Sequence, residues 1–547
     1  MCYNTFVNQK IWEGAFFRMK KWLALLLVLC MVIPLTACPS NDGDQKGEGT
    51  VDWSEIDHLP EENFNDQDVT ISCFEPYAYE VYGTENGSWI EKESYKRNKE
   101  IEVRFNVNIK DDTTPGTQMN NQEDQYNRVN NAFMNGADEF DLVVMYAYLI
   151  GKMVVDSHYC DWRTEVVGCR DSIKAGAEWW PENINRDCMI NGYQFIAVSD
   201  MSLTAMEMCY AVLFNSEIES RNNVAKTQIN SIVQKKNSGR NPNFQSMFDV
   251  VDAGWWTLDV MYETVKDFWQ PGAGKGAGDK HDEKDVYGLA VGLGTDSDAW
   301  PFAFNIHYIN NDGISTPQLW DPLNDRRVTD SISQLQQLVQ SDGVYSEWGD
   351  TYEKRCTFFA EGHALFTLMA LEELKLDTMH EMKTNAAFPF GVLPYPKLNR
   401  DQKIYQAGSK DHFSLLAVPA WVLDTGAVED NVRMKRIGYV TEAMSAYNAK
   451  KVKTPYYELM VKYGNTHDDD SVRMIDLIMN GRMYDLTIYH YNELRLSTTE
   501  NDTLGLLYRY MLLHPTQAFS THWTQYQSTV EYEFDALITK YNEITEK

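Results

Sequence analysis

A chain of 547 residues is longer than one ordinary hydrophobic core supports, since single cores stop growing near roughly 250 to 300 residues; two or three folding units are expected, two lobes being the simplest division. Apolar residues make up 43% and charged residues 24%, the balance of a globular chain. A net charge of −31 argues against nucleic acid as a partner and repels anionic lipid headgroups, so any membrane attachment must come from something other than a basic surface.

Met19-Lys20-Lys21 followed by the apolar run Trp22 to Ala37 has the charged and hydrophobic regions of a secretory signal and is short for a transmembrane helix. The run ends in Leu35-Thr36-Ala37-Cys38, which resembles the lipobox of bacterial lipoproteins. The resemblance implies that Cys38 is diacylated and becomes the first mature residue, anchoring the protein to the cell membrane on its extracellular or periplasmic side. The alternative is an uncleaved signal anchor with an incidental cysteine. Residues 1–18 lack signal character and read as an upstream start. Residues 38–65 are rich in Asn, Asp, Gly, Glu and Gln, bury too little to offset their ordering entropy, and read as a flexible tether.

Export permits disulfides among Cys73, Cys160, Cys169, Cys188, Cys209 and Cys356. Six cysteines allow fifteen pairings, and free buried thiols are an equal alternative in a chain this large. No CxxC pair occurs, so no zinc site is expected.

The body opens with DVTISCF, Asp68 to Phe74, a β-type run, and IEVRFNVNI from Ile101 to Ile109 alternates as a second strand would. Tyr126 to Asn135 predicts a helix, and Glu139 to Met145 a strand ending at Tyr146. Strand and helix in alternation predict a doubly wound α/β lobe, in which ligands bind beyond the carboxyl ends of strands. Glu75, Tyr77, Tyr146 and Tyr148 stand just past such ends. Two β-type runs between Asn191 and Phe214 flank the polar step Ser199-Asp200. Thr257 is the expected N-cap of a helix with Leu258, Met261, Val265 and Phe268 on one face. The glycine-rich stretch 272–285 fits neither a phosphate loop nor a calcium loop and reads as a connector. Val472, Ile475, Ile478 and Met479 mark one side of a late helix.

GxSxG, HExxH and dinucleotide fingerprints are absent, and no catalytic residue, cofactor or metal is expected. Among 80 acidic residues, the paired carboxylates of a carbohydrate hydrolase leave no sequential trace, so that class stays open as a rival.

Seven segments, in order, resemble the extracellular solute-binding proteins of bacterial carbohydrate ABC importers, relatives of maltodextrin-binding protein: FDLVVMYAYL, INGYQFIAVSDMSL, GWWTLDVMYE, DVYGLAVG, WPFAFNIHYINNDG, FFAEGHALFTL and FPFGVLPYPK. The resemblance implies two α/β lobes joined by crossovers, near 200–203, 407–411 and 451–455, with a sugar held between them. Lobe one would comprise 66–202 with 412–453, and lobe two 203–411 with 454–547. The ligand expected is a carbohydrate, an oligosaccharide first, with a peptide or other solute as the alternative. The partners implied are an ABC permease and the membrane through the lipid anchor, for a monomer that is not an enzyme. Trp300 and Phe302 are expected as stacking platforms because the family places aromatics there, with a core role as the alternative for either. Tyr77 and Tyr146 would stack or donate hydrogen bonds. Glu75 and Asp200 would accept from hydroxyls, Asp200 being equally a hinge-turn residue. Ser409 and Asp411 lie at the second crossover. After the FxxGxAxF-like segment the family often has a tryptophan; Thr367-Leu368-Met369 stands here, which makes Met369 the candidate replacement.

Overall fold

The computed structural model describes residues 51–546 except 119, 157, 273, 276–281, 347–351, 376–378, 380–387, 424–426, 463–468, 492 and 497–502. Cys38, the signal-like run, most of the tether and the middle of the glycine-rich stretch lie outside the described residues. Asp52–Lys547 form one unit, distinct from Met1–Val51.

Chain order builds the first sheet from β1 (Gln67–Phe74), β2 (Val107–Thr114) and β3 (Leu142–Tyr146), with β1 parallel to both neighbours. All five residues of β3 are buried, as a strand covered on both faces requires. Between β1 and β2 runs helix α1 (Trp89–Phe105), so the strand expected over 101–109 begins only at Val107. A capping box joins Ser88 and Glu91 at its start, and Asn106, at φ 48°, ends it. Its buried stripe is Ser94, Arg97, Asn98, Ile101 and Phe105, a helical spacing that polar residues hide from a hydrophobicity reading. Helix α2 (Asp124–Asn135) lies where expected, and α3 (Ala147–Val154) follows β3 directly.

The second sheet comprises β4 (Tyr210–Asn215), β5 (Trp269–Gln270), β6 (Val286–Ala290), β7 (Val344–Tyr345), β8 (Ala364–Ala370) and β9 (Phe390–Leu393). Its order is β9-β4-β8-β6-β5, with β7 also paired to β6. Helix α4 (Leu258–Val265) packs on β6; its N-cap Thr257 donates to Asp259 (2.5 Å) and makes no capping bond. The chain then returns to the first sheet as β10 (Ser414–Ala417), antiparallel to β3, giving β10-β3-β1-β2. Two sheets, each with its own helices, make two lobes.

The passages between lobes are themselves bonded. Tyr210 N donates to Gly408 O (3.1 Å) and Lys410 N to Met208 O (3.0 Å), so the outgoing and returning segments run side by side. A third passage is helical: α5 (Val432–Tyr447) packs on α1 and β1, widens into a π-helical turn at Asn448–Val452, and continues as α6 (Lys453–Lys462) against α7 (Asp469–Asn480). Of the late helix face, Ile475, Ile478 and Met479 are buried and Val472 is half-buried.

Residues 52–65, read from composition as the end of a tether, are docked on lobe one. Asp57 accepts two bonds from Arg104 (2.6 and 2.9 Å), whose guanidinium lies 4.5 Å from the Trp53 ring centroid. Phe64 packs on Phe105 and Tyr439. Apolar residues spaced singly leave no periodic signal. Residues 482–491, expected with lobe two, also bind lobe one: Tyr484 N donates to Asp187 (3.0 Å) and Cys188 Sγ to Tyr489 Oη (3.1 Å). The six body cysteines are free and buried. Among the described residues no helix is long and apolar enough to cross a membrane.

Candidate ligand cleft

The returning passage, the second sheet and the C-terminal stretch meet around a cavity of about 200 Å³. Tyr210 enters it from the start of β4, its hydroxyl donating to Thr295 O (2.7 Å). Phe302 stands on a short helix, Ala299–Ala303, and its ring lies against Gly408, where a Cβ would come within 2.6 Å of it. Glycine at 408 is what lets the aromatic ring approach the passage so closely.

Charged groups on this wall come in pairs. Arg509 Nε donates to Asp298 Oδ1 (3.1 Å) and its Nη2 to Oδ2. Burial pushes the Asp298 carboxyl up to about 6, outweighing Arg509 beside it. Lys410 Nζ donates to Glu372 (2.7 Å) and Glu373 (2.9 Å). Behind it Arg355 bridges Glu373 (2.5 Å) and Asp296. Asp411 and His412 form a third pair at 2.5 Å; burial opposes both charges, yet each partner favours the other's charged form, shifting the carboxyl below and the imidazole above its usual value. Thr487 Oγ1, on the same wall, is buried and makes no hydrogen bond in the protein, leaving it available to a bound hydroxyl.

His412 carries the wall toward lobe one. Its ring lies 5.1 Å from those of Tyr146 and Tyr148, and Gln122 Nε2 is 3.2 Å from its Nε2. Tyr148 donates to Gln122 Oε1 (3.0 Å), and Gln118 of lobe one reaches Glu372 of lobe two at 3.5 Å. The facing surface on lobe one is thus aromatic and amide.

The structure brings Phe302, Ser409 and Asp411 of the expected residues together in this cavity, with Tyr146 behind His412. Trp300 is 1% exposed and packed against Phe304 and Tyr395 inside lobe two, the core role given as its alternative. Met369 is buried within β8 opposite Ala211. Tyr77 is buried too, its hydroxyl bonding Gln125 (2.8 Å) and Val144 O (3.0 Å). Glu75 is exposed and accepts from Gly116 N (2.8 Å). Asp200 accepts from Lys453 (3.1 Å) across the first and third passages, as a hinge residue does. In this arrangement none of these five presents a group to the cavity. Sequence reasoning missed Tyr210, Asp298, Lys410, His412, Thr487 and Arg509. Gly408-Ser409 at the passage was the available signal for Lys410 and His412; for Arg509, far along the chain, there was none.

No protein-family model and no curated protein matches the sequence. Among solved structures the chain is similar to the sugar-binding protein MalE from Xanthomonas citri, at 8% identity over 88% of this chain and 99% of that one, with a TM-score of 0.52. It is also similar to the GacH receptor of Streptomyces glaucescens (10% identity, 85% and 99% covered, TM-score 0.47). A third is UgpB from Mycobacterium tuberculosis in complex with glycerophosphocholine (12% identity, 86% and 99% covered, TM-score 0.44). At such identities the likeness is one of fold, and the fold is the two-lobed α/β architecture of periplasmic binding proteins.

Proposed function

We propose that this chain is the lipid-anchored solute-binding component of a bacterial carbohydrate ABC importer, a monomer tethered through Cys38 outside the cell, that captures a sugar by lobe closure and delivers it to a permease. What supports the reading most is a cavity at the meeting of two interlobe passages, in a fold shared with a sugar-binding protein. Every cation on the cavity wall is matched by a carboxylate: Arg509 by Asp298, Lys410 by Glu372 and Glu373, and His412 by Asp411. A neutral polyol meets such a wall without leaving a charge unpaired, whereas an anion must displace a carboxylate. Phe302 supplies an apolar face, and Ser409, Asp411, Arg509 and Thr487 supply polar contacts. Closure is then driven by the contacts a ligand makes to both lobes at once.

A hydrolase would draw on Asp298 and Asp411, whose surroundings push in opposite directions, but each is already bonded to a cation. The test is a melting-shift screen of the chain from residue 39 onward against neutral oligosaccharides, peptides and anionic solutes, with product analysis of every positive. A shift of the size expected near a hundredfold excess over Kd, about 2.7 kcal/mol, with intact sugars only, is the expected result. Shifts confined to peptides or anions, or cleaved sugar, would replace this reading. Cys38→Ala should release the protein or leave its precursor unprocessed; unchanged labelling with a palmitate analogue removes the anchor.

A further inference from the structure

Away from the cavity, on the hinge side, one carboxylate gathers donors from every moving part. Glu207 ends the short helix Thr204–Glu207 on the first passage and is 1% exposed. Its Oε2 accepts from the Tyr79 hydroxyl (2.7 Å) and from Lys375 Nζ (2.6 Å), and its Oε1 accepts from the Tyr456 hydroxyl. Tyr79 stands just past β1 in lobe one, Lys375 just past β8 in lobe two, and Tyr456 on the helix that follows the third passage. The Lys375 ammonium also lies 5.2 Å from the centroid of the Tyr79 ring, a direct cation–π contact between the lobes. Beside it Glu80 accepts from Thr204 N and from Ser414 Oγ (2.5 Å), which fastens lobe one to the first passage and to the end of the second.

We propose that Glu207 is a positioning residue that ties the two lobes in the arrangement seen here, so that the Tyr79–Glu207–Lys375 cluster sets how readily the cleft opens. The proposal rests on reading the protein as a binder that closes on its ligand. A buried carboxylate loses compensation with each donor it loses, and Tyr79 and Lys375 belong to different lobes, so a rotation about the passages that separates them weakens the cluster. Opening that draws Tyr79 away from lobe two breaks its bond to the Glu207 carboxylate and its ring contact with Lys375, which the arrangement with Gln118 near Glu372 keeps. None of these groups lines the cavity, so the cluster acts on affinity through the lobe equilibrium alone.

The experiment places spin labels at Val103 of lobe one and Leu323 of lobe two, both exposed, and measures the interlobe distance in the full chain without ligand. Glu207→Gln keeps the shape of the side chain and removes its charge; Lys375→Met, at a side chain 42% exposed, removes the same bond at little risk to folding. Each should broaden and lengthen the distance distribution, the pair together should do no more than either alone, and the affinity for a sugar found by the screen should fall about tenfold. Saturating sugar should restore the short distance. An unchanged distribution in a folded Lys375→Met variant overturns the proposal, as does a Glu207→Gln effect that Lys375→Met does not share. Failure of the wild type to bind any sugar would instead sink the functional reading, since the distance in the empty protein needs no ligand.

Discussion

The two walls of the cleft are built from different chemistry. On the lobe-one side Tyr146, Tyr148 and Gln122 carry no charge and meet through a ring contact and a hydrogen bond from the Tyr148 hydroxyl to the Gln122 amide oxygen. On the lobe-two side Asp298 and Arg509 form one ion pair, and Glu372, Lys410, Glu373, Arg355 and Asp296 form a chain of them. A neutral wall is cheap to rearrange and offers area to a ligand ring. A bonded, buried ionic wall is costly to disturb, since losing one member leaves its partner uncompensated. On the proposed function, the contrast would divide labour: the ionic wall fixing the orientation of a ligand and the aromatic wall closing over it.

If so, the largest effects should be on stability and should come from lobe two. Arg355→Ala strands Asp296 and leaves Glu373 with Lys410 alone, and should cost about 3–5 kcal/mol in denaturant unfolding; a loss under about 1 kcal/mol would mean the ionic wall is not structural. Trp300→Ala, behind the same wall, should cost about 3–5 kcal/mol as a buried ring while leaving sugar affinity near wild type. Normal melting with weakened binding would return Trp300 to the ligand. On the aromatic wall, Tyr148→Ala should barely move the melting point and should weaken binding by about 0.5–1.5 kcal/mol, roughly twofold to tenfold; a large stability loss would erase the difference between the walls.

The smallest effect is in pH. Burial pushes the Glu80 carboxyl up to about 7, past the bonds it accepts from Ser414 and Thr204. A carboxyl raised in the folded state contributes stability that is complete below its unfolded value, roughly 4.3, and is lost as pH rises through about 7. The melting temperature should therefore fall between pH 5 and pH 8, and Glu80→Gln should make that fall shallower. An undiminished slope in the variant assigns the dependence elsewhere.

Much of the frame was legible from residues. β1, α2 and β3 follow from period and turn residues, whereas a passage near 407–411, with Ser409 and Asp411, was expected only from the family resemblance. For Trp300 the sequence left ligand and core roles both open, because a single large apolar residue carries no sign of which way it points; its neighbour Phe302, two positions on, reaches the cavity while Trp300 faces the core. The buried face of α1 is largely polar, with Arg97 bonded to Asn448 (2.9 Å), so hydrophobic periodicity reads it poorly. Arg509 and Thr487 enter the cavity from a stretch whose pairing with residues near 298 and 409 is spatial, and one sequence holds no record of it.

The central claim is that the cavity at the passages holds the ligand. Calorimetric titration of wild type and Arg509→Met with a neutral oligosaccharide from the screen tests it most directly. One site per chain in wild type, weakened about thirtyfold or more in a variant that melts cooperatively, is predicted; wild-type affinity in that variant would contradict it.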